Sequence, residues 1–315
     1  MNEWELAGIL SKAMVYLGML AAMGGSFVLL LCRRQPALML LITRRFMMPA
    51  LLIGLVATCL YFLVQVGSVN QRGIAGMFDP LIGSILVDTE IGSALRWRLA
   101  GFMLALFCLM PLNFPGVGLH HRGIQAFCMV MALAAAGSFM LSVSVQGHSS
   151  ALSMQAQGLV AFHVLAIGCW AGALYPLYLA VAADSEQTAN TQQLADMLQQ
   201  FGRYAWVMLT VMVITGVSLF WLLTGGFGTL FSTLFSTLYG QLFLAKVLLV
   251  AAMMGLGAVH KFRWVPRLRG AAEQMPGNST MHHLLARSIR LETGLAVVVL
   301  LITASMTSIT GPQAG

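Results

Sequence analysis

Two histidines flank one short uncharged connection in this 315-residue chain. His148 stands in Gln146-Gly147-His148, just past one apolar run, and His163 stands a few residues inside the next. Imidazole nitrogen and thioether sulfur are the donor set that favours copper, with thioether selecting Cu(I). The chain holds 22 methionines. Methionine is also an adaptable apolar filler, so position counts for more than number. At about 1.5 Å rise per residue, Met140 lies about 12 Å below His148, at the depth of His163. Met154 falls in the connection, and Met306 and Met14 reach similar depth on other runs. His148, His163, Met140, Met154 and Met306 are therefore the candidate metal ligands, a His/Met mouth at one face of the protein. Affinity at such a site falls as imidazole protonates, near pH 6.5 for an unperturbed ring. The ordinary alternative for His163 is a hydrogen-bonded core histidine.

Lys246 and Glu292 also lie inside apolar runs, where charge is costly and function is the first reading. Lys246 stands five residues beyond Gln241, towards the face that carries the His/Met mouth, and Glu292 lies near the opposite face. No direct pair between them is expected. A snorkelling amine is the ordinary role for Lys246, and an ion pair with Arg290, Lys261 or His260 for Glu292. His120, His121, His260, His282 and His283 gather at the face of Glu292. There they are interfacial polar groups or acceptors for a metal at an exit. The chain is read as a non-enzyme, and with no nucleotide-binding motif or phosphorylation domain the energy for any transport must come from elsewhere. A copper ion would be its cargo rather than a resident cofactor.

The elements that must position these groups are membrane helices. Hydrophobic residues make up 59% of the chain and charged residues 9%, against about 25% charged in soluble domains. Eight apolar runs recur, at 10–32, 46–69, 91–114, 124–145, 158–182, 204–224, 241–259 and 289–309. About 20 apolar residues cross about 30 Å of hydrocarbon. Backbone groups in lipid must pair within the segment, so the runs are read as helices. The expected fold is all-α, a single polytopic domain over 1–315 with eight transmembrane helices. Basic residues fill the loops after runs 1, 3 and 7: Arg33, Arg34, Arg44, Arg45; Arg122; Lys261, Arg263, Arg267, Arg269, Arg287. The positive-inside bias then places both termini on the non-cytoplasmic side. Segment 184–203 dissents, with Asp184, Glu186 and Asp196 against Arg203, but acidic residues weigh little in that rule.

The net charge of +7 follows from the same bias and does not call for nucleic acid. The longest polar stretch, about 260–288, is too short for a separate core. Cys32, Cys59, Cys108, Cys128 and Cys169 lie in or at the ends of apolar runs, none as CxxC. That argues against a disulfide framework and a zinc motif. The start lacks the positive cluster of a cleavable signal peptide. Gly168 and Gly172 mark a packing face on run 5, and Pro176 is expected to kink it.

The segment Phe162-His-Val-Leu-Ala-Ile-Gly-Cys-Trp-Ala-Gly-Ala-Leu-Tyr-Pro176 resembles the fifth span of the copper resistance D (CopD/PcoD) family. That pattern has a histidine, a Trp-x-Gly-Gly-like turn and Leu-x-Pro. Gly147-His148, Phe201-Gly-Arg203, Thr215-Gly216, Leu244-Ala-Lys246 and Arg290-Leu-Glu292 are similar to family motifs in the same order. The resemblance covers about 145–312, with the family domain placed at 195–312, and the first half mainly by span count. It implies eight spans and copper handling at the bacterial inner membrane. It also implies import towards the cytoplasm, with a small periplasmic copper-binding protein, CopC, as donor. Many members carry a histidine in span 1, where this chain has Met14 or Tyr16. Some carry a second histidine where this chain has Val160. The implied site is poorer in imidazole and richer in thioether than in those relatives. Two other classes stay open: a copper-binding sensor or scaffold without transport, and a haem- or quinone-linked electron-transfer protein. The haem version needs two imidazoles on one cofactor.

Overall fold

The computed structural model describes residues 3–113, 122–146, 153–187, 191–224, 235, 237–268 and 279–309. Among them are eight helices long and apolar enough to cross a membrane, and no strand. They are α1 Glu3–Leu31, α2 Pro36–Asn70, α3 Glu90–Leu112, α4 Arg122–Ser144, α5 Met154–Asp184, α6 Thr191–Leu222, α7 Leu238–Leu268 and α8 Met281–Ser308. A chain segment in lipid has no water to satisfy its amides, so each run closes its own i→i−4 ladder.

Helix α1 is the hub, packing on α2, α4, α5 and α8. Two glycine pairs make that possible. A Cβ on Gly18 would lie 2.8 Å from the Gly54 Cα of α2 and 2.7 Å from the Phe102 ring of α3. A Cβ on Gly24 would overlap the backbone of Gly172 on α5. Association in lipid relies on close packing rather than on expelling water, so small residues sit where helices cross. Gly168 packs on Met23 of α1, so the small-residue face expected on run 5 is the α1 contact. Around this hub, α3 pairs with α4, α5 with α6, and α7 with α8, while the second half of α5 lies on α8. Phe102 of α3 and Phe139 of α4 meet at 4.9 Å between ring centres. Helices α6 and α7 are mostly exposed on the flank of the bundle.

Three helices carry interruptions with identifiable causes. Helix α5 opens into a turn at Gly172 and Ala173, one turn before Pro176. Pro176 has no N–H to return to the Gly172 carbonyl, so the ladder breaks there. Helix α2 has a π-helical turn at Thr43–Met47, just before Pro49. Helix α7 has another at His260–Trp264, before Pro266. Between α2 and α3 a short helix, Pro80–Val87, starts at Asp79, whose Oδ1 accepts from the N–H groups of Leu81 (2.9 Å) and Ile82 (3.1 Å).

Candidate metal-handling site

His163 lies nine residues into α5, where α5 packs against α6. Its Nδ1 is 3.1 Å from the Met212 carbonyl oxygen and 3.0 Å from Thr215 Oγ1, both on α6. The Thr215 hydroxyl donates its own hydrogen back to the Val211 carbonyl at 2.6 Å. A carbonyl only accepts, so the proton of the neutral ring sits on Nδ1 and the lone pair on Nε2. Gly216 completes the seat, since a Cβ there would be 3.2 Å from His163 Cε1. The Thr215-Gly216 pair picked out in the sequence is therefore the clamp on this imidazole. Lys246 of α7 and Tyr16 of α1 stand close enough to interact electrostatically, Lys246 with both His163 and Tyr16. The Tyr16 hydroxyl faces the Thr307 side chain of α8. Met14, by contrast, is exposed on the surface of α1.

The remaining candidates are spread over the same end of the bundle. Met154 precedes His163 by nine residues on α5, about 13 Å along the axis, and is 87% exposed. Met306 is buried on α8, whose contact with α5 runs mainly through the half after Leu174. Met140 sits on α4, and its carbonyl accepts from Ser144 Oγ, which also reaches the Gln157 carbonyl of α5 at 3.1 Å. His148 falls outside the described residues. Among the described residues no three His, Cys, Asp or Glu side chains gather as a metal cluster.

Two buried cations at this end belong to runs that read as apolar. Lys12 of α1 donates to the Thr307 carbonyl at 2.9 Å and lies 5.9 Å from the Tyr61 ring centre. Arg98 of α3 donates to Gln146 Oε1 at 2.6 Å and lies 5.5 Å from the same ring. Both are buried, neither has a carboxylate at ion-pair distance among the described residues, and Arg98 Nε has no hydrogen-bond partner there. The signal was present: Lys12 and Arg98 fall within 10–32 and 91–114. One or two charges among more than twenty mostly apolar residues leave the average hydropathy of each run high and so hide them.

The far end of the bundle holds two histidine–carboxylate pairs. Glu292 Oε2 of α8 is 3.5 Å from His260 Nδ1 of α7, and His260 Nε2 is 2.7 Å from Ser288 Oγ. Glu292 is 2% exposed, and its Oε1 has no hydrogen-bond partner. Of the three partners open to Glu292, His260 is the one in place. Lys261 instead reaches across to α6, donating to the Gly202 carbonyl at 3.2 Å and covering the Trp206 ring at 5.1 Å. The second pair is Asp184 at the end of α5 and His282 of α8, Oδ2 to Nε2 3.0 Å, both buried. Sequence reasoning took Asp184 for a loop residue, because nothing local announces a partner 98 positions away.

Between the two ends, α5–α8 enclose an apolar cluster containing Met212 and Met253, with Met208 and Met254 packed on it. Together with His163 and the His260–Glu292 pair, it runs the length of the C-terminal half.

Family models match both halves of the chain. Copper resistance protein D matches residues 195–306, and the copper resistance protein D-like N-terminal domain matches residues 1–155. The chain belongs to the copper resistance D family. The first match takes in the clamp residues Met212, Thr215 and Gly216 together with Lys246, His260 and Glu292. The second extends the family over the half where the sequence resemblance rested mainly on span count. No curated protein and no solved structure matches the chain. Family membership supports a role in copper resistance for this multi-pass membrane protein.

Proposed function

We propose that the protein is a copper permease of the bacterial inner membrane, not an enzyme, and that it moves copper towards the cytoplasm. Copper is its cargo. The observation that carries this reading is the state of His163. Nδ1 is held by a carbonyl and a hydroxyl on α6, which leaves the Nε2 lone pair inside a membrane span with no hydrogen-bond partner among the described residues. Metal-binding histidines are commonly held in this way, one nitrogen on a carbonyl and the other on the metal. The thioethers of Met208, Met212, Met253 and Met254 lie further along the same four helices, and thioether selects Cu(I). His260 and Glu292 stand at the far end of that route. In this reading both termini and the His163 end face the periplasm, where a CopC-like copper-binding protein would load the carrier.

Copper uptake into sealed vesicles containing the purified protein tests the proposal. Wild-type vesicles should accumulate copper and not magnesium, and His163→Ala should abolish the flux while folded protein remains in the membrane. His148→Ala should only weaken it. Flux unchanged by both substitutions would remove the His163 site. Copper binding without flux would favour a sensor or scaffold.

A further inference from the structure

Cys108 of α3 and Cys128 of α4 face each other across the interface of those two helices. Cys108 Sγ donates to the Cys128 carbonyl at 3.3 Å, and Cys128 Sγ to the Cys108 carbonyl at 3.4 Å. Cys108 is buried and Cys128 is partly exposed. Cys108 lies four residues before the end of α3 and Cys128 six residues after the start of α4. Both are therefore within about 6–9 Å, along the helix axes, of the α3–α4 connection. His163 lies near the α4–α5 connection, at the opposite end of the bundle.

We propose that Cys108 and Cys128 form a two-coordinate Cu(I) thiolate site at the end of the bundle opposite His163. Thiolate sulfur is the softest donor a protein offers and selects Cu(I) over harder divalent ions. A pair of facing cysteines supplies two such donors without drawing on other ligands. Of the other cysteines, Cys59 is exposed, Cys32 donates to its own helix at Leu29, and Cys169 lies on α5. Binding balances simply. Two S–H bonds break, two Cu–S bonds form, and copper stays in the +1 state. Two protons leave to water, and the site carries one net negative charge. Metal binding at a dithiol is for that reason coupled to pH. The exposed edge of Cys128 admits the ion, and buried Cys108 retains it.

This site goes beyond the permease reading. It rests on the dithiol and on the family's tie to copper, not on His163 or on the direction of transport. The experiment uses the full-length protein in lipid nanodiscs, reduced and anaerobic, with Cu(I) supplied from a chromogenic Cu(I) chelator. One equivalent should show the ultraviolet thiolate-to-Cu(I) charge-transfer band. Cys108→Ser and Cys128→Ser should each lose that equivalent. Cys59→Ser and His163→Ala should keep it, so failure of the His163 site and failure of the dithiol are told apart. A second measurement needs no variant. At free Cu(I) near 100 times Kd, alkylation of Cys108 and Cys128 by a maleimide should slow about 100-fold by mass action, while Cys59 is unaffected. Unprotected thiols, a band that survives the Cys108→Ser/Cys128→Ser pair, or recovery of the two residues as a disulfide from anaerobic membranes would overturn the proposal.

Discussion

Thr215→Val isolates the clamp on His163 from the imidazole itself. Threonine and valine share a β-branched shape, so α6 keeps its backbone and its fit against α5. What is lost is one of the two acceptors on Nδ1–H, the Oγ1 at 3.0 Å, while the Met212 carbonyl at 3.1 Å remains. The hydroxyl's own hydrogen bond to the Val211 carbonyl is also lost, but that carbonyl lies within the helical ladder. A typical intramolecular hydrogen bond contributes about 1 kcal/mol net. With 1.4 kcal/mol equal to tenfold in Kd, copper binding at Nε2 should weaken about fivefold. Loss of the whole anchor would be worth about 10–100-fold, the range for groups that orient a metal-bound histidine. The assay is Cu(I) competition against a chromogenic chelator in nanodiscs of the Cys108→Ser/Cys128→Ser protein, so that only the His163 site is read, with Thr215→Ser as the rescue. Thr215→Ser should return Kd to within about twofold of wild type, since its hydroxyl restores the contribution of about 1 kcal/mol. If Thr215→Val leaves Kd unchanged while His163→Ala abolishes binding, the clamp does not orient the ligand and that part of the reasoning fails. If His163→Ala also leaves Kd unchanged, copper does not bind at Nε2.

Other consequences follow from particular contacts. His282→Ala leaves the Asp184 carboxylate buried without its 3.0 Å partner and should cost about 3–5 kcal/mol. The Asp184→Ala/His282→Ala double variant should lose less than the sum of the singles, read from thermal unfolding in detergent; additive losses would show that the two do not interact. Gly24→Val drives a side chain into the Gly172 backbone, which cannot give way as a flexible side chain can. Folded protein recovered from membranes should fall sharply, and normal recovery would contradict the α1–α5 crossing. The Ile82 N–H holds the Asp79 carboxyl below its ordinary range, helped by Leu81, Asn70 and Arg72. Its contribution to helix Pro80–Val87 is complete above the unfolded value of about 3.9 and is lost as pH falls through the lower folded value. Amide exchange in that helix should rise only in that acid window, and Asp79→Asn should flatten the response. Reporter fusions at Arg269 and Gly226 should report opposite sides of the membrane, Arg269 cytoplasmic; the same side for both would refute the proposed orientation.

Eight helices were legible in the chain because lipid leaves little choice. A run of about 20 apolar residues must cross, and its amides must pair within the run. The packing face at Gly168 and Gly172 and the break near Pro176 were equally local, set by the absence of a side chain and of an N–H. The family, too, was readable from short motifs in order. What joins those motifs was not. Thr215 and Gly216 close on His163 from another helix, His260 rather than Lys261 or Arg290 meets Glu292, and Asp184 finds His282. Lys12 and Arg98 share one tyrosine ring from α1 and α3, and Cys108 meets Cys128 without a recognisable spacing. The physical reason is common to all of them. A soluble helix declares its buried face by an apolar stripe, but a membrane helix is apolar all round because lipid and core are alike. Its rotation and its neighbours are then chosen by glycine contacts and by polar groups seeking one another across the bundle, and only the tertiary structure shows which ones meet.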